Sequence, residues 1–266
     1  MFPDVKSLPL PARPRSRSRR RALIGTALAG AALLTATVTG CSPDGDKDST
    51  QDKSADQPAD QSAGKSGSAL SAVSSLKVKA SGTMDGYARD RFGRAWLDTD
   101  GNHCDTRDDI LKRDLTDVKF TDGHCKVASG TLTKDPYTGK TVHYVRGHSK
   151  IDIDHAVALS DAWKKGARQW SPSKRIALAN DPLNLIASDA SANRQKGDGD
   201  TAAWLPSNTA YRCEYVAHQV SVKKKYGLWV SAAERDAMKK VLTTCPSAKL
   251  PTGGNPTEAP PRFKAK

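Results

Sequence analysis

S-K-I-D-I-D-H-A-V-A-L-S (Ser149–Ser160) and, after a spacer, N-D-P-L-N-L-I-A-S-D-A-S-A-N-R-Q-K-G-D-G-D (Asn180–Asp200) decide how the chain is read. Alternation of Ile151, Asp152, Ile153 and Asp154 has the period of a strand with one apolar and one carboxylate face, ending at His155. Leu183 to Ala187 reads as a second short strand. Asp189 stands where a helix needs its N-cap, and Asn193, Arg194 and Lys196 fall in the first turns of that helix. The expected order is strand, strand, helix. Asp154 and His155 lie on the first strand, Asn184 on the second and Asn193 on the helix.

These residue types suit hydrolysis of a phosphodiester, which needs an activated water and a cation against charge developing on the phosphate. A hard divalent ion keeps several waters, so one or two protein oxygens suffice, and Asp154 with the Asn193 amide oxygen supplies two. The imidazole of His155 titrates near neutrality and can take the proton of a water. Adjacent strand residues point to opposite faces, so His155 and Asp154 converge only if the strand bends or ends there. Asn184 is placed to aim the partner of the other ring nitrogen, directly or through backbone. Arg194 and Lys196 offer cationic contacts to phosphate. Taken singly each residue has a plainer role: a surface Asp-His pair, a turn Asn, a solvated helix face. The combination favours a site.

I-D-I-D-H, then P-L-N-L-I, then S-A-N-R-Q-K-G-D resembles the HNH (ββα-metal) domain of the GmrSD restriction-endonuclease C-terminal family and, more loosely, the HNH nuclease of the CRISPR effector. The resemblance runs into the front half through G-Y-x-R-x-x-F-G-x-x-W, C-D-T-R-D-D-I-L, S-G-T-L and D-P-Y-T-G-K. It implies a metal-dependent endonuclease with His155 as general base and Asn184 as the orienting residue. Asp154 and Asn193 become metal ligands, with Asp152 behind them or as a substitute ligand. The ion is Mg²⁺, Mn²⁺ or another divalent cation, and no small-molecule cofactor is expected. The substrate is nucleic acid, DNA favoured, with a 5′-phosphate product. Little sequence specificity is expected because no sequence-reading module flanks the site, unlike the restriction enzymes the domain resembles.

The ends of the chain read differently. Six arginines and Lys6 precede an uncharged run from Ala22 to Val38, and V-T-G-C closes the unit at Cys41. That is the pattern of a secretory signal at 1–40, with a bacterial lipobox and lipidation of Cys41. The implied location is a membrane lipoprotein facing the outside, secreted and actinobacterial in type. Arg19-Arg20-Arg21 partly matches a twin-arginine signal. Residues 41–76 are rich in Ser, Asp, Gln, Ala and Lys, and residues 249–266 in Pro and Gly. Both read as disordered, a tether and a tail, leaving 77–248 as the folded nuclease domain.

Besides Cys41, the cysteines are Cys104, Cys125, Cys213 and Cys245, an even set in an exported chain. Pairings Cys104–Cys125 and Cys213–Cys245 are favoured because each flanks a compact unit. Zinc at His103-Cys104 and His124-Cys125 lacks ligand spacing. The net charge of +13 favours polyanions, and Lys164-Lys165 with Lys223-Lys224-Lys225 could track a nucleic-acid backbone. Asp98, Asp100, Asn102 and Asp105 superficially match a calcium loop, but a tight turn fits their spacing better.

R-A-W-L-D-T-D-G, C-K-V-A-S-G-T-L-T and the stretch after D-P-Y-T-G-K read as strands, and 105–117 as a helix. Helices are expected over 158–166, 172–180, 208–226 and 231–244, the last opened by the capping box Ser231-x-x-Glu234. The fold class is therefore α+β: a ββα-metal core, a strand-rich N-terminal half and C-terminal helices, stapled by disulfides. The competing reading is a catalytically inactive lipoprotein that binds nucleic acid or cell wall.

Overall fold

The computed structural model describes residues 67–266. The signal segment, Cys41 and most of the expected tether lie outside the described residues.

The first element is a helix, α1 (Ala69–Ser74), capped by the Ser68 hydroxyl. Its buried face, Ala69, Ala72, Val73 and Leu76, recurs at helical spacing and packs with Tyr215, Val220 and Met238. The expected tether boundary at residue 76 is corrected. Small side chains at the right period bury a face despite a composition that looks unable to fold.

A helix α2 (Thr106–Asp114) starts at Asp105, whose carboxylate accepts from Asp108 N at 2.8 Å. The antiparallel strands β1 (Thr116–Phe120), β2 (Val127–Leu132) and β3 (Val142–Val145) follow in the order β1-β2-β3. Cys104–Cys125 ties the approach to α2 to the β1–β2 turn. The strand expected over 94–101 is absent. Gly93 sits at φ 83°, Trp96 at φ 59°, and Leu97 N donates to the Asn180 side chain at 2.9 Å instead of to a strand. Asp98 accepts from the backbone N–H groups of Gly101, Asn102 and His103, which makes the acidic loop a turn.

β4 (Ile151–His155) pairs antiparallel with β5 (Leu185–Asp189), with Asp152 opposite Ser188 and Asp154 opposite Ile186. Ile151, Ile153, Leu185 and Ala187 share a core with Ile110 and Leu111 of α2. Between the strands lie α3 (Leu159–Lys164) and α4 (Pro172–Ala179), the latter capped by Ser171 with Pro at its first position. Asn184 belongs to a 3-10 turn, Pro182–Asn184, ahead of β5 rather than to the strand. α5 (Ala190–Lys196) is capped by Asp189 as expected and packs on β4 and β5.

α6 (Arg212–Tyr226) and α7 (Ala232–Thr243) close the fold, joined by Cys213–Cys245. Ser231 caps α7, but Glu234 turns inward, away from the cap. There it joins Lys165, Lys223 and Asp161 in a fully enclosed cluster: Lys165 lies 2.6 Å from Glu234 and 2.7 Å from Asp161, and Lys223 2.9 Å from each. The expected basic track is thereby corrected, since Lys165 and Lys223 are buried and Lys225 pairs with Asp181 at 2.6 Å. The expected disordered tail is corrected too. Ser173 donates to Ala259 O, Lys225 to Asn255 O, and Lys266 pairs with Asp90. Polar anchors and a few separated apolar residues, Ala259 in one core cluster with Phe263 packed against it and Leu250 against another, hold the tail. The observed fold is mixed α+β with two disulfides.

Candidate active site

Strand alternation divides the polar residues of β4 between two faces. Asp152 and Asp154 lie on the face covered by α5, and His155 on the face shared with Ile151 and Ile153. Asp154 is almost fully buried. One carboxylate oxygen accepts from the Tyr137 hydroxyl at 2.5 Å and is 3.0 Å from Lys196 Nζ; the other accepts from the same ammonium at 3.1 Å. Burial pushes the Asp154 carboxyl up, while Lys196 and Tyr137 favour its charged form. Lys196 also donates to the main-chain oxygen of His155 at 2.9 Å. Its side chain is wholly buried, which corrects the expectation of a phosphate contact. A helix this short turns residue 196 back over the strands, where an ammonium needs the carboxylate.

His155 Nε2 lies 2.9 Å from Ala179 O. A carbonyl can only accept, so Nε2 carries the proton and Nδ1 is left with its lone pair. Burial, with help from the nearby Arg89 charge, holds the imidazole down to about 3, so it is neutral across the physiological range. The ring stacks on Trp96 at 6.3 Å with 13° between planes. It lines a cavity of about 170 Å³ with Arg89, Asp90, Arg94, Trp96 and Asn180. None of Asp152, Asp154 and Asn193 lines that cavity. β4 ends at His155, so the imidazole and the Asp152 and Asp154 carboxylates leave the end of the strand from opposite faces.

Asn184 is fully buried and works through backbone. Its side chain accepts from Val157 N at 2.8 Å and donates to Val157 O and to Leu178 O, while its own carbonyl accepts from Ala156 N. It therefore fastens the turn after His155 to the end of α4, whose last residue, Ala179, orients the imidazole. Asn193 reaches Asp152 at 3.5 Å, and Arg194, largely exposed, lies 3.8 Å from the same carboxylate.

Among the described residues no three His, Cys, Asp or Glu side chains are grouped to hold a metal ion. The donors on the α5 face are nonetheless all oxygen, as a hard cation prefers. Asp152 keeps 40% of its side chain exposed, leaving room for water ligands. Ser188, directly across from it, has a buried hydroxyl with no partner. Fit is poorer at Asp154, where the Tyr137 hydroxyl and the Lys196 ammonium already engage both carboxylate oxygens. Tyr137, Trp96, Arg89, Arg94 and Ser188 escaped the sequence reading. The sequence signals for Tyr137, Arg89 and Trp96 are the D-P-Y-T-G-K turn and the R-x-x-F-G-x-x-W run.

Residues 105–241 match the family model for the C-terminal domain of GmrSD restriction endonucleases. A curated relative from the fungus Arthroderma benhamiae, described as an uncharacterized secreted protein, is 41% identical over 179 residues, covering 66% of this chain and 84% of the relative. No solved structure matches the chain. The family match spans β4, β5 and α5.

Proposed function

The chain belongs to the GmrSD restriction-endonuclease C-terminal domain family, and from that membership we propose an exported nuclease that hydrolyses phosphodiester bonds of nucleic acid, DNA favoured, at an HNH-type site on β4, β5 and α5. The observation that carries this reading is the hydrogen bond from His155 Nε2 to Ala179 O. It fixes Nδ1 as the accepting nitrogen, beside guanidinium groups. The burial that keeps the ring neutral also makes it a weaker base than a free imidazole. A water whose proton passes to Nδ1 becomes the nucleophile on phosphorus, and the 3′-oxygen departs, leaving a 5′-phosphate. Asn184 and Ala179 keep the ring aimed; burial keeps bulk water off it. Asn193 with Asp154, or with the more open Asp152, would hold a divalent cation such as Mg²⁺ or Mn²⁺. When bound, that cation supplies positive charge to the phosphate and leaving oxygen. Arg194 is the exposed phosphate contact. Export is supported by the secreted relative, and lipidation of Cys41 would keep the domain at the outer membrane face.

A second reading, a nucleic-acid or cell-wall binding lipoprotein without activity, draws on the Lys196–Asp154–Tyr137 contacts and on the start of His155 and the carboxylates from opposite faces of β4. Incubating the full chain with plasmid DNA and with single-stranded RNA under Mg²⁺, Mn²⁺, Ca²⁺ or EDTA, beside His155→Ala, separates the two. The nuclease reading expects divalent-dependent cleavage that His155→Ala loses by roughly 10²–10⁴. Equal cutting by both proteins would reassign the base. Retention of DNA with no cutting by the native chain would establish the binder.

A further inference from the structure

The segment from the 3-10 turn Arg89–Phe92 to Leu97 is held harder than a surface loop needs to be. Phe92 is buried against Trp163. Arg175 Nε donates to Arg91 O at 2.8 Å, and Leu97 N to Asn180 at 2.9 Å. Gly93 at φ 83° lies so near α4 that a Cβ would stand 2.8 Å from Ile176. Trp96 at φ 59° is an uncommon backbone state for an aromatic residue, and such strain clusters at functional sites. The same ring lies flat against His155, with Arg107 over it at 5.9 Å.

The clamped loop presents Arg89 and Arg94 on the wall of the His155 cavity, both exposed. Among the described residues the arginine ion pairs come from Arg113, Arg146, Arg168, Arg194 and Arg235, so neither cavity arginine has an acidic partner. Asp90, the one carboxylate on the wall, is paired with Lys266 at 3.1 Å. About 170 Å³ is the share of five or six waters, enough for one phosphate group. We infer that this cavity is a phosphate subsite, with Arg89 and Arg94 as the forks that seat a backbone phosphate of the nucleic acid against His155. It rests on the nuclease reading for its substrate class. Two guanidinium groups carried on a held backbone offer the planar donor forks that suit phosphate geometry. Trp96 is occupied by His155 and Arg107, which makes it a positioning residue for the ring.

The test is binding of the full chain to a 20-base-pair duplex in EDTA across a salt series, for native protein and for Arg89→Gln, Arg94→Gln and Arg91→Gln. Each seated phosphate contributes a slope of about 0.9 in log K against log salt. Arg89→Gln and Arg94→Gln should each lower the slope by roughly that amount. Arg91→Gln, exposed on the same segment but off the cavity wall, should leave it unchanged. A native slope in both cavity variants, an equal loss in Arg91→Gln, or no binding by the native chain would overturn the subsite. Unchanged melting temperatures of the variants guard against misfolding. Native protein that binds with the arginine-dependent slope but never cuts would remove the nuclease reading and keep the subsite. Native protein that cuts while the cavity variants keep their slope would do the reverse.

Discussion

Lys196 separates a phosphate-binding surface lysine from an internal counter-ion, and replacing it by Met tests which it is. The ammonium has no exposed surface, lies within 3.1 Å of both Asp154 oxygens and also bonds His155 O. Lys196→Met keeps the length and apolar stem but leaves Asp154 buried with only the Tyr137 hydroxyl. Removing one partner of a buried pair typically costs ~3–5 kcal/mol, against ~0–1 for an exposed pair. At ~2–4 °C per kcal/mol for a domain of this size, the melting temperature should fall by roughly 10 °C. The pH dependence has a definite sign. Asp154 is already raised by burial, and loss of Lys196 raises it further, so the folded variant binds a proton that the unfolded chain releases. Stability then falls as pH rises, and the deficit at pH 8 should exceed that at pH 5. Adding Asp154→Asn should recover part of the loss, because the unpaired charge goes with it. Thermal unfolding in EDTA with disulfides intact reads all three proteins. A Lys196→Met protein within about 1 kcal/mol of native at pH 8 would refute the internal counter-ion.

Three further outcomes follow from the same structure. Burial alone would raise Asp161, but Lys223 and Lys165 outweigh it and hold it below the usual carboxylate range; its contribution is therefore complete above about pH 4 and is lost below it, and Asp161→Asn should flatten that acid limb in a pH series of melting temperatures. Gly93→Ala should cost roughly 1–3 kcal/mol for its backbone conformation alone, with crowding against Ile176 in addition, and a melting temperature equal to native would contradict it. Replacing Cys213 and Cys245 by Ser, which opens a loop of 32 residues, should lower stability by about 3–4 kcal/mol in denaturant titration; an unchanged midpoint would show that helix packing alone holds α6 to α7.

Local chemistry made the β4, β5 and α5 order legible in advance. Alternating Ile and Asp, the Asp189 cap and the Pro-led α4 depend on neighbours a few residues away, and the structure forms them near the expected bounds. Both disulfides also follow from even cysteines flanking compact units. The α1 face was present as a period at Ala69, Ala72, Val73 and Leu76 but was masked by a small-residue composition.

Only tertiary structure decided which charges are inside. Lys196 meets Asp154 across 42 positions, Lys223 meets Asp161 across 62, and Lys165 meets Glu234 across 69. A lysine on a helix looks the same in sequence whether it faces water or a carboxylate brought from elsewhere. The direction of His155 is of the same kind. Strand period places it opposite Asp154, and whether chain geometry then reunites them depends on Trp96, Ala179 and Asn184, held there by packing that no local pattern encodes.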